Sequence, residues 1–174
     1  MALLSAGEAS RLLRVFAVVL LPVVLVMRAL DSALQTRSAA HGIVSFEFCA
    51  YSASCAQQIE DWALRGQQLA MLSLGLDYLF ILSYVGLLWL ALTRLALSQP
   101  AGLQGLSRLF ACLVLVAGAA DGLENYALIQ VLLNRLIQPY ADFAAMCASI
   151  KFTLLLLSLG WLCASGLHLC WRRR

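Results

Sequence analysis

Two carboxylic acids and a carboxamide stand together in Asp121-Gly122-Leu123-Glu124-Asn125, deep inside an apolar run from about Leu106 to Leu133. A run of that length crosses a bilayer as a helix. At about 100° per residue, Asp121, Glu124 and Asn125 share one helical face. Charged groups at this depth are costly and are kept facing protein or a cavity. The chemistry open to them is ion pairing, binding of a cation, proton or polar head group, or acid–base exchange.

Other apolar runs carry possible partners: Asp77 lies between Leu69 and Leu92, and Lys151 lies between Tyr140 and Leu169. Ser73, Asp77 and Tyr84 fall on one face, and Cys147, Lys151, Ser158 and Ser165 form a stripe. Counted from the outer helix ends at about 1.5 Å per residue, the charged groups lie roughly 12–20 Å deep, in one layer. Lys151 is therefore expected within ion-pair reach of Asp77 or Asp121. Arg28, near the outer end of the first run, could reach down, and Glu47 could fold in from the loop. Nucleophilic catalysis has little support, since no histidine shares the depth of Ser45, Ser158 or the cysteines. A transition metal would prefer histidine, and the only two, His41 and His168, read as a loop residue and an interface residue. No metal site and no cofactor are expected.

Positioning these groups requires membrane helices. The chain has 174 residues, 63% hydrophobic and 12% charged, well below the roughly 25% charged of a soluble domain. The fold expected is all-α: a single domain over 1–174, with a four-helix transmembrane bundle in up-down order. The helices are placed at about 12–31, 67–95, 105–135 and 139–171. The first reads as an uncleaved helix kinked at Pro22, because its apolar stretch runs on through Leu30 without a well-placed cleavage site. Asn134 and Arg135 close the third helix, and Pro139 marks a tight connection. Gly118 and Gly122 form a G-x-x-x-G, which suits close approach of another helix, from this chain, a partner or a second copy.

The long loop, 32–66, lies between the first two helices. Ser54-Cys-Ala-Gln57 reads as a capping box, opening a short amphipathic helix over about 54–64 that ends at Gly66. Ile59 and Trp62 take its apolar side and Glu60 and Asp61 the other, which suits a segment on the bilayer surface. Cys112, Cys163 and Cys170 read as small buried hydrophobes and Cys147 as a helix residue. Cys49 and Cys55 could pair if the loop faces an oxidising compartment; two free thiols is the slightly favoured reading.

Arginines set the orientation. Arg11, Arg14, Arg94, Arg108 and Arg172 to Arg174 fall on one side, and Arg28, Arg37, Arg65 and Arg135 on the other. The positive-inside rule places both termini in the cytoplasm, with Trp171 and the last three arginines anchoring the chain end. These residues flank apolar runs without forming a patch, so the formal charge of +3 does not indicate nucleic-acid binding. A faint likeness between Arg14-Val-Phe-Ala17 and Arg108-Leu-Phe-Ala111 is better read as chance.

The phrases Phe46-Glu47, Leu76-Asp-Tyr-Leu-Phe80, Asp121-Gly-Leu-Glu-Asn125 and Lys151-Phe152 resemble a pattern in small, uncharacterised bacterial four-helix membrane proteins, across about residues 42–165. The resemblance implies a bacterial inner-membrane location and the helix number, and it adds Glu47 to the candidates. No activity comes with it.

The sequence thus points to a multi-pass membrane protein with an acidic pocket opening away from the cytoplasm. Asp77, Asp121, Glu124, Asn125, Lys151 and Glu47 are its candidate ligand- or ion-binding residues, for a small cation or a lipid-like ligand, with transport as one use. Two alternatives stand beside it: a membrane enzyme using carboxylate acid–base chemistry on a lipid-like substrate, and an assembly subunit whose polar layer only fixes helix packing.

Overall fold

A computed structural model of the chain describes residues 6–133 and 137–172. Its elements are α1 (Ala6–Leu34), α2 (Ile43–Glu47), α3 (Cys55–Ser98), α4 (Ala101–Leu132) and α5 (Ile137–Arg172). The fold is all-α, and α1, α3, α4 and α5 are long and apolar enough to cross a membrane. The exterior is apolar: Val18, Leu21 and Leu25 of α1 stand exposed, as do Leu82 of α3 and Leu156 of α5. The polar side chains Asp121, Glu124, Asn125 and Lys151 are buried instead. That inversion is what a hydrocarbon solvent asks of a helix. Asn134 and Arg135, and the side chains of His168, Cys170, Trp171 and the terminal arginines, lie outside the described residues.

The helices pack in series. α1 packs on α3, α3 on α4 and α4 on α5, with a smaller contact between α3 and α5. Among the described residues α1 and α5 have no comparable packing. Among the described residues the four long helices thus pack as an open series rather than a closed ring. Gly118 lets α3 and α4 meet: a Cβ there would lie 2.5 Å from Val85 Cγ2, while Gly122 faces the Tyr78 ring at 3.7 Å. The G-x-x-x-G is thus used inside this chain. Phe16 of α1 fills the space over Gly86 of α3. No side chain covers Gly160 in this way, and Phe110 stacks on Trp161 instead. The likeness between the two arginine-led phrases does not extend to their packing.

Several local expectations are overturned. The loop helix does form from Cys55 and is set off by a kink at Ala63, whose φ of 48° is non-helical; the second span follows directly with no loop between them, and α3 covers both. Gly66, expected to stop it, sits inside the helix against Trp62. Ser54 is the N-cap residue without a side-chain cap bond, so the capping box does not form; its Oγ accepts from Gln58 Nε2 at 2.8 Å instead. Trp62 is a core residue rather than an interface one. It packs on Phe46 at 5.0 Å between ring centres, and its Nε1 donates to Leu34 O at 2.7 Å. Burial of a wide ring with its N–H satisfied outweighs a surface position.

Cys49 and Cys55 are joined by a disulfide, Cα to Cα 4.9 Å, against the reading as free thiols. The turn before α3 brings them together; one continuous helix would have kept them apart. Cys112 and Cys163 are exposed on the apolar exterior rather than buried, which a thiol tolerates as a small hydrophobe, and Cys147 is buried. Pro22 lies inside α1 without ending it. Pro139 lies in the first turn of α5, where its missing N–H breaks no helical bond.

Candidate functional site

The centre of the site is the Lys151 ammonium. It donates to Asp121 Oδ1 and Glu124 Oε1, both at 2.9 Å, and lies 3.5 Å from Glu47 Oε1. α5 supplies the lysine, and α4 supplies the two strongest partners from successive turns of one face. Asp121 also accepts from Tyr84 Oη at 2.8 Å through its other oxygen. Asp77 does not meet Lys151. Its Oδ2 accepts from Asn125 Nδ2, because Asn125 projects toward α3 while Glu124 projects toward α5. Cys147, Lys151, Ser158 and Ser165 are all buried, so the α5 stripe faces inward.

Glu47 is brought in by the loop. Asp31 at the end of α1 accepts the Ile43 N–H at 2.8 Å and fixes the start of α2. Gly42 precedes it with φ 55°, and any Cβ there would collide with Asp31, 2.1 Å from its Oδ1. Phe46 anchors on Trp62, and the disulfide follows directly. Glu47, the last residue of α2, is thereby held over the bundle with its Oε2 buried and unbonded. Tyr51 straps the far side of the loop to α5: its hydroxyl donates toward Ala145 O at 3.4 Å and lies 3.2 Å from Ser149 Oγ.

A cavity of about 710 Å³ opens on this cluster. Glu47, Asp77, Asp121 and Lys151 line its polar end, with Tyr84 and Ser73. Val24, Met27, Phe80, Phe152 and Leu155 line its apolar wall, and Arg28, Asp31 and His41 stand toward the loop. Glu124 and Asn125, expected in the pocket, are not among its lining residues; they lie behind it and hold Lys151 and Asp77 in place. Asp31 had no local signal, since its partner lies 12 residues on. Tyr84 had one, because it shares a face with Asp77. His41, read as a plain loop residue, reaches the cavity.

The charges do not balance. Four acids, Glu47, Asp77, Asp121 and Glu124, surround one lysine. Among the described residues no group of three or more His, Cys, Asp or Glu is arranged to hold a metal ion. Burial pushes the Glu47 carboxyl up from 4.5 to about 7; Lys151 opposes the rise, and Asp121 and Asp77 add to it. Comparison with protein families, curated proteins and solved structures found no match to this chain.

Two predictions follow from this geometry. Lys151→Met leaves Asp121 and Glu124 buried without a counter-charge and should cost about 3–5 kcal/mol, read as the unfolding free energy in mild detergent. Lys151→Met with Glu124→Gln should recover part of that loss, because the two residues are coupled through one contact. The second concerns Glu47. Its raised pKa favours the folded state while the carboxyl is protonated, so that contribution is complete below pH 4.5 and is lost as pH rises toward about 7. Glu47→Gln should raise the thermal midpoint at pH 8 and change it little at pH 4. An equal shift at both pH values would contradict the assignment.

Proposed function

We propose that the protein is a multi-pass membrane protein that uses its intramembrane acidic cavity to bind a cation or a polar, lipid-like ligand, and carries that ligand into or across the membrane. The observation that carries this reading is the Glu47 carboxylate: Oε2 is buried, without a partner, beside a cavity already rich in acid. A buried acceptor without a donor is destabilising by roughly 1–3 kcal/mol, more when charged. A cationic or hydrogen-bond-donating ligand would supply what is missing.

A structural role is the competing reading, and the Lys151–Glu124 and Asn125–Asp77 contacts favour it, with Glu124 Oε2 buried and unpartnered as well. Such contacts fix helix register without any ligand. Methylammonium separates the two. On the binding reading, millimolar methylammonium raises the thermal midpoint of the detergent-solubilised protein at pH 8, and Asp77→Asn abolishes the rise. No rise at any concentration, with Asp77→Asn simply less stable, is the structural outcome.

The reading includes an up-down order of the four spans, with both termini cytoplasmic in a bacterial inner membrane and the 32–66 loop on the opposite face. The arginine distribution supports the orientation, and so does the disulfide in that loop, since such bonds persist in oxidising compartments. His41→Cys, at an exposed loop position, should react with a membrane-impermeant maleimide on intact cells. Reaction only after permeabilisation would reverse the orientation.

A further inference from the structure

The cavity has two unlike walls, and together they narrow the ligand. At the polar end, both Asp121 oxygens are used, by Lys151 and Tyr84. Glu47 Oε2 is buried without a donor, and Asp77 presents a carboxylate whose one bond comes from Asn125 through Oδ2. Both residues line the same cavity. They call for a cation with several N–H donors rather than one with none: a primary ammonium satisfies both, whereas a quaternary ammonium donates to neither.

The other wall is hydrocarbon. Val24 and Met27 of α1 face Phe152 and Leu155 of α5 across the cavity. Among the described residues α1 packs on α3 and has no comparable packing on α5, so this side is not closed by an extended helix contact. In a membrane that gap faces lipid chains. A small hydrated cation has no use for such a wall, whereas an alkyl or acyl chain buries against it at roughly 0.8 kcal/mol per methylene.

We propose that the cavity takes an amphiphile bearing a primary ammonium, with the ammonium between Glu47 and Asp77 and the chain leaving through the gap between α1 and α5. The assignment rests on the ligand-binding reading above and gives its ligand class. Two sources carry this chemistry, an aminophospholipid and a free long-chain amine. Arg28 lines the cavity one turn nearer the loop than Val24 on the same helix, and there it would meet the phosphate of an aminophospholipid.

The test uses the full chain in a neutral maltoside detergent at pH 8, with binding read as the ligand concentration that half-saturates a thermal-midpoint shift. Dodecylamine should bind at least about tenfold more tightly than methylammonium and than dodecyltrimethylammonium. Equal binding of methylammonium and dodecylamine would overturn the amphiphile assignment and leave cation binding standing. Equal binding of dodecyltrimethylammonium would overturn the primary-ammonium assignment. Binding of none would overturn both this inference and the reading beneath it. Glu47→Gln should weaken dodecylamine about tenfold or more. Val24→Trp, which blocks the apolar wall without touching the polar cluster, should weaken dodecylamine but not methylammonium. Native mass spectrometry then separates the sources. Retained phosphatidylethanolamine that is lost in Arg28→Gln assigns the phospholipid, and dodecylamine binding without such retention assigns the free amine. A Val24→Trp protein that binds dodecylamine unchanged refutes the lateral exit.

Discussion

Everything at the centre of this protein depends on one ammonium in low dielectric. Lys151 alone at this depth would be untenable, and so would Asp121 and Glu124 alone. Together they are held by two contacts of 2.9 Å. The pairing fixes the rotation of α5 against α4, because the acids lie on successive turns of one face. Asn125, next along, turns toward α3 and takes Asp77. One short stretch of α4 thus sets both of its helix interfaces, and Val85 over Gly118 lets α3 come close enough for the second.

Glu47 has a different status. It arrives from outside the spans, on a five-residue helix held by Asp31, Trp62 and a disulfide. Its burial is not demanded by packing: a glutamine would fit the same space. The chain spends stability to keep a carboxylate there, a pattern expected of groups retained for binding or chemistry rather than for folding.

The membrane class, the four long helices and the inward faces were legible in the sequence. Hydropathy runs and a 3.6-residue period are strong signals in hydrocarbon, where the backbone must satisfy itself. The Lys151–Asp121 contact was also legible, through depth. The division of labour inside the cluster was not. Which of Asp77 and Glu124 lies against Lys151 depends on how far each helix rotates and on a glycine-mediated approach of α3 to α4, and neither leaves a local trace. The loop was the least legible part. Ser54 and Gln57 have the types of a capping box, but Gln58 competes for the Ser54 hydroxyl and the disulfide sets the turn. Trp62 looked like an interface residue because its partners, Phe46 and Leu34 O, are 16 and 28 residues away.

The position of α1 has an evolutionary consequence. Most of its surface meets only hydrocarbon: Val15, Val18, Leu21, Leu25 and Val26 are all exposed. Exchanges among Leu, Ile and Val there leave the bilayer contact nearly unchanged, so identity at these positions is free to drift while hydropathy is kept. Val23, buried, and Phe16, seated over Gly86, have no such freedom. In distant descendants of this chain, α1 should persist as a hydropathy profile punctuated by a few fixed letters, whereas the facing turns of α4 and α5 should persist as spelled words.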